Sequence, residues 1–137
     1  MRIRVTSHAR YDLWYYLVFC TKYRKKVFED KRTQEELEKF FREIALHYDL
    51  EVGSVEVLSD HVHLSITAPL RIAPSQAVAI LKSVSTKILF KKYRWLKKHY
   101  WAGEVWAGGY FVRRIGTGIT QETIEKYLKE QSEEKII

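Results

Sequence analysis

The sequence predicts an α+β fold, an antiparallel sheet with helices packed mainly on one face and a further helix near the C-terminal end. Three observations lead there. Residues 50–58 and 61–67 both alternate apolar and polar positions, as half-covered strands do, and only Ser59-Asp60 lies between them, which makes a hairpin. Residues 33–48 and the stretch after Pro74 carry apolar residues at spacings of three and four, as amphipathic helices do. Strands and helices are interleaved along 137 residues, enough for one domain with a proper core, taken as 1–137.

Tyr11 to Thr21 reads as the first strand. Aromatic and β-branched residues occupy both of its faces from Trp14 onward, so it belongs at the centre of the sheet, covered on both sides. The basic run Lys22-Tyr23-Arg24-Lys25-Lys26 follows. Such a run is either a solvated strand exit or a phosphate contact, with Tyr23 available to stack on a base. Thr33 to Tyr48 forms a helix, with Thr33 and Glu36 as its capping box. Leu37, Phe40, Phe41, Ile44, Ala45 and Tyr48 share its inner stripe. In the second strand, Val52, Val55 and Val57 alternate, and Gly53 marks a bulge.

The third strand carries the chemistry. Val62, Leu64 and Ile66 point into the core, while His61, His63, Ser65 and Thr67 point the other way. Two imidazoles two residues apart on a strand stand side by side, which suits two nitrogens holding one divalent ion. The same pair is compatible with plain polar surface.

Pro74 suits the first turn of the next helix, whose inner stripe is Ala77, Ile80, Leu81, Val84 and Ile88. Lys87, Lys91, Arg94 and Lys98 recur at helical spacing and form one basic edge, joined by Lys82, Lys92 and Lys97. That edge is either a solvated face or a nucleic-acid contact. A Gly-rich aromatic stretch, 95–110, supplies mostly core and leads into a strand from Tyr110 to Ile115. Gly116 and Gly118 make a flexible joint. Residues 119–133 form the last helix, capped by Thr120, with Ile124, Tyr127, Leu128 and Gln131 on one stripe. Taken by itself, this is an amphipathic helix whose tyrosine packs on the sheet.

The whole-chain chemistry narrows the function. Lys and Arg outnumber Asp and Glu by 24 to 17, a net charge of +7, and 14% of residues are aromatic. Both favour a single-stranded polyanion as partner. No phosphate loop with Lys-Ser/Thr is present, which argues against ATP-driven chemistry. No apolar run approaches the roughly 18 residues of a membrane span. The start shows no signal-peptide pattern, and one Cys allows no internal disulfide; both fit the cytoplasm.

These residues together resemble the single-tyrosine HUH transposases of insertion sequences that move as single-stranded DNA. His61-Val62-His63 matches the His, bulky apolar, His motif. Leu17 to Phe28 is similar to the family's first strand and basic exit, Trp106 to Val112 to its last strand, and Thr123 to Gln131 to its catalytic helix. Departures are Cys20 in the first strand and Ser59 where a Pro often precedes the Asp. Rolling-circle initiators carry Lys where Glu130 stands, and relaxases place the tyrosine before the His pair. The resemblance implies a ferredoxin-like or RNA-recognition-like sheet. It implies Tyr127 as nucleophile and His61, His63 and Gln131 as ligands of a divalent metal, Mg or Mn. It also implies hairpin-ended single-stranded DNA as substrate. A homodimer follows as well, each tyrosine helix serving the other subunit's His pair. The rivals are a non-catalytic single-strand binder, a metal hydrolase using only the His pair, and a domesticated relative acting on genomic palindromes.

Overall fold

The computed structural model describes residues 4–5, 10–11, 13–100, 102–115 and 126–130. The main sheet has four strands, β3 (Trp14–Cys20), β4 (Glu51–Val57), β5 (His61–Thr67) and β6 (Phe111–Arg114). Their spatial order is β4-β5-β3-β6, and every pairing is antiparallel. Two short strands, β1 (Arg4–Val5) and β2 (Arg10–Tyr11), pair with each other and, among the described residues, with no other strand. The expected strand from Tyr11 to Thr21 is therefore two pieces. Tyr11 belongs to the separate ribbon, and the central strand starts at Trp14.

Two helices, α1 (Lys31–His47) and α2 (Pro74–Lys92), cover one face of the sheet. Leu17 and Phe19 from β3, with Val62, Leu64 and Ile66 from β5, meet Leu37, Phe41 and Leu81 in a core that excludes water. Phe19 meets Trp106 edge-on, centroids 4.9 Å apart, and the Trp106 indole donates to Ser85 Oγ at 2.9 Å. The buried N–H is thus satisfied. Tyr100 and Trp106 are core, as expected of the aromatic stretch, but Trp95 is 42% exposed.

Helix α1 starts two residues before the expected Thr33. Asp30 caps it, its carboxylate accepting from the Thr33 N–H at 3.2 Å and from the Thr33 hydroxyl at 3.1 Å. Glu36, assigned to a capping box, instead pairs with Lys92 and Tyr93 at the end of α2. Helix α2 starts at Pro74 as expected, but it ends at Lys92. Arg94–Lys98 forms a separate 3-10 turn, so Arg94 and Lys98 do not extend the helix's basic edge. Lys82 is also off that edge. Its ammonium donates to the carbonyls of Ala107 and Gly109 at 2.7 and 2.8 Å.

The bulge falls where Gly53 sits, between Val52 and Val55. A Cβ at Gly53 would stand 2.7 Å from Ser65 Oγ and 3.1 Å from the Trp14 ring, so no larger residue fits without movement. The Ser65 hydroxyl accepts from the Ser54 N–H at 2.7 Å, which closes the irregular ladder. Among the described residues no helix is long and apolar enough to cross a membrane.

Candidate active site on the open face of the sheet

The site lies on the face of the sheet away from α1 and α2. Alternation puts His61 and His63 there together, because their neighbours Val62 and Leu64 are drawn into the core. The two imidazole centroids are 4.9 Å apart with planes at 69°. Across the sheet, His61 is in register with Cys20 and His63 with Val18. On the other side His63 is in register with Glu56.

Each ring is held by one nitrogen. His61 Nδ1 lies 2.8 Å from Asp60 Oδ1, and His63 Nδ1 shares a hydrogen bond with the Tyr16 hydroxyl. The Asp60 carboxylate accepts from His61 Nδ1–H and so leaves the His61 Nε2 lone pair to bind a metal, while the Tyr16 hydroxyl orients the His63 ring. Burial holds the His63 pKa below its ordinary value, with the neighbouring His61 acting in the same direction and Glu56 opposing. A neutral imidazole is the form that ligates. This donor set fits a divalent ion. Among the described residues no third His, Cys, Asp or Glu joins the pair. Gln131, the third ligand implied by resemblance, lies outside the described residues, as do Gly116, Gly118 and Thr120.

Residues 126–130 are helical, as expected, and Tyr127 is buried on this same open face. It packs on Val18 and Cys20, with the Phe111 ring centroid 6.0 Å from its own. Cys20, on which it rests, is the position in register with His61. Within one chain, the helix bearing the nucleophile candidate thus rests on β3, and the imidazole pair stands on the adjacent β5 on the same face. Burial pushes the Cys20 thiol up to about 11, so it is a neutral neighbour of the phenol at pH 7 and no base.

The basic run forms a 3-10 turn, Lys22–Arg24, immediately after β3. Tyr23 is 44% exposed, with the ammonium groups of Lys22 and Lys25 at 5.6 and 5.9 Å from its ring centre. Lys22 also pairs with Glu104 at 3.3 Å, and Lys25 donates to the His99 carbonyl at 2.9 Å. Arg24 is turned inward, to Asp60 and to the Leu128 carbonyl. Lys87, Lys91, Arg94 and Lys98 are exposed. Lys87 and Lys91 ride on α2, in the layer across the sheet from the imidazoles.

Asp60 and Tyr16 are the residues that sequence reasoning missed. Asp60 had a signal, a carboxylate directly before the His-x-His strand, but the hairpin link accounted for it. Tyr16 had none, because its contact with His63 comes from strand register between positions 47 residues apart.

The chain is similar to known proteins in sequence and in fold. A family model described as "Transposase IS200 like" matches residues 9–131. The chain is 34% identical over 125 residues to the ISDra2 transposase TnpA of Deinococcus radiodurans, covering 91% of this chain and 88% of that protein. It is 27% identical over 128 residues to the transposase for insertion sequence element IS200 of Salmonella typhimurium, covering 93% and 82%. A crystal structure of a Deinococcus radiodurans R1 protein described as a transposase superposes with a TM-score of 0.81 at 30% identity, over 93% of this chain and 97% of that one. The fold alone is shared with a REP-associated tyrosine transposase bound to a REP hairpin, at TM-score 0.52 and 16% identity, over 89% and 68%.

Proposed function

The chain belongs to the IS200-like transposase family, and on that premise we propose that His61, His63 and Tyr127 form its catalytic centre, with Gln131 as the third metal ligand. It is a DNA transposase, cleaving and rejoining single-stranded DNA by transesterification through a tyrosine. The observation that carries the residue assignment is the Tyr127 phenol resting on Cys20, whose register partner is His61.

His61, His63 and Gln131 would hold a divalent ion, Mg²⁺ or Mn²⁺, which would supply positive charge to offset the negative charge that develops on the scissile phosphate. The chain's residues do the rest. Asp60 and Tyr16 keep both rings oriented, and burial keeps His63 neutral. The Tyr127 oxygen attacks phosphorus as its phenolic proton leaves. The bond to the 3′ oxygen breaks, and that oxygen takes up a proton. The products are a 5′-phosphotyrosine and a free 3′-OH. Attack by a second 3′-OH reverses the step without ATP, because the covalent link preserves the phosphodiester.

We read residues 1–137 as one domain, with 119–133 as the tyrosine helix. The βαββαβ order of β3, α1, β4, β5, α2 and β6 supports a ferredoxin-like class. The substrate is single-stranded DNA with hairpin ends, engaged by a homodimer; the tyrosine helix is docked beside its own chain's His pair, and exchange of the helices between subunits would carry each to the equivalent seat on its partner. Lys22, Tyr23 and Lys25 are candidates for the strand near the site, and Lys87, Lys91, Arg94 and Lys98 for DNA farther away. The buried free Cys20 fits a reducing cytoplasm.

A denaturing gel tests the nucleophile. Wild-type protein with Mn²⁺ and 3′-labelled strands carrying the element end retains the labelled downstream product on protein. Tyr127→Phe binds the same DNA and retains none. A labelled adduct on Tyr127→Phe, or wild-type product released freely, removes Tyr127 from its role. Mixing Tyr127→Phe with His63→Ala tests the exchange between subunits, and recovery of cleavage supports it.

A further inference from the structure

Arg24 stands at a crossing of contacts that the proposed chemistry leaves unexplained. Its Nε and Nη2 lie 3.0 and 2.8 Å from Asp60 Oδ2. Asp60 Oδ1, the other oxygen of the same carboxylate, is 2.8 Å from His61 Nδ1. On its remaining side, Arg24 Nη1 donates to the Leu128 carbonyl at 2.7 Å, one residue after Tyr127. One guanidinium thus reaches the support of a metal-ligand candidate and the backbone of the nucleophile's helix. The Arg24 and Asp60 side chains are only 19% and 11% exposed, so the pair is sheltered from water and salt.

The backbone is shaped for this. Tyr23 and Arg24 both adopt left-handed conformations, φ 62° and 52°, which cost non-glycine residues of order 1 kcal/mol or more each. Hydrogen bonds hold the turn on both sides. Thr21 N–H donates to the Asp60 carbonyl at 2.9 Å, Lys22 N–H to the Val105 carbonyl at 2.7 Å, and Arg24 N–H to the Thr21 carbonyl at 2.9 Å. The Thr21 hydroxyl donates to the Lys25 carbonyl at 2.8 Å. The strained turn curls Arg24 back under the β4-β5 hairpin instead of outward with its basic neighbours.

We propose that Arg24 is a positioning residue, a latch whose planar fork docks the Tyr127 helix against the imidazole pair by holding Asp60 with one edge and the Leu128 carbonyl with the other. This rests on the site roles assigned above. Lysine cannot replace it, since a single ammonium cannot span both partners in fixed geometry. The contact is to backbone, so it sets where the helix sits whatever its side chains.

The test uses full-length Arg24→Lys and Arg24→Gln with a fluorescent single-stranded oligonucleotide of the element end and Mn²⁺. Arg24→Lys keeps the charge beside Asp60 and loses the helix contact. Its rate of adduct formation at saturating DNA and Mn²⁺ falls about 10- to 100-fold, the range for partners that orient a site. DNA affinity stays within about 3-fold, since no phosphate contact is lost. Backbone amides at 126–130 exchange faster while those of β3 and β5 do not. Arg24→Gln shows the same losses and also binds Mn²⁺ more weakly, because Asp60 has lost its charged partner. Unchanged adduct rate and unchanged exchange overturn the latch. So does a retained rate at saturation with weakened, less salt-sensitive DNA binding, which makes Arg24 a phosphate contact. Tyr127→Phe is the control. If it still forms an adduct, the site assignment fails, while amide exchange at 126–130 in the Arg24 variants still judges the latch.

Discussion

The two faces of β3 differ in what covers them and in what they carry. On one face Leu17 and Phe19 are fully buried under α1 and α2, among apolar side chains only or nearly so. On the other, Tyr16, Val18 and Cys20 lie beside Glu56, His61 and His63 and under Tyr127. The first face takes its stability from apolar area removed from water, a non-directional term. The second spends its side chains on orientation, with Nδ1 of both imidazoles held and a phenol set one strand away. One strand of seven residues thus separates a layer that makes the fold from a layer that makes the chemistry. Substitutions on the two layers should therefore fail differently.

The largest effect is expected on the open face. His61→Ala and His63→Ala each remove a ligand, and metal-dependent cleavage should fall by more than about 100-fold. Thermal unfolding should change little, because both rings lie outside the main core. Cleavage assays with and without chelator, beside melting curves, check this. A large loss of melting temperature with cleavage per folded molecule intact would erase the distinction between the faces.

The reverse pattern is expected across the sheet. Phe41 is fully buried and meets Phe19 edge-on at 6.0 Å. Phe41→Ala should cost about 3–5 kcal/mol of stability, by urea denaturation, through lost transfer energy and a residual cavity. The molecules still folded should cleave at the wild-type rate.

The smallest effect sharpens the helix layer. Contacts with Lys92 and Tyr93 lower the Glu36 carboxyl from 4.5 to about 2. A depressed folded-state pKa contributes stability that is fully present above pH 4.5 and is lost as pH falls towards 2. Glu36→Gln should flatten the acid side of the stability curve in that window and leave neutral-pH cleavage unchanged. Melting curves from pH 5 to 2 show whether the slope disappears.

What the sequence revealed follows the range of the forces involved. Strand β5, the inner stripe of α1 from Leu37 to Ala45, Pro74 at the start of α2 and the bulge at Gly53 were all legible, because each rests on periodicity or on one residue's backbone preference. Tyr48, expected on that stripe, instead lies just past the helix end and is 39% exposed. The His-x-His pair was legible for the same reason, since alternation alone puts both rings on one face. Asp30 was overlooked as a cap because Thr33 and Glu36 also match a capping pattern, and only the contact of Glu36 with Lys92 and Tyr93 separates the two. Lys82 read as surface charge until two loop carbonyls 25 and 27 residues away claimed it. Arg24 joins Asp60 across 36 residues and Leu128 across 104, and no local pattern encodes such partners. The role of Tyr127 came from resemblance, since its helix alone looks like any amphipathic helix packed on a sheet.

The central claim is that the open face of β3 and β5 brings one phenol to a pair of imidazoles as a single reaction centre. Mass-spectrometric mapping of the protein–DNA adduct, after nuclease trimming and proteolysis, tests it most directly. The account predicts a nucleotide mass on Tyr127, formed with Mn²⁺ and absent when His61 and His63 are both replaced by alanine. A nucleotide on any other side chain, or on Tyr127 without dependence on the two histidines, would contradict it.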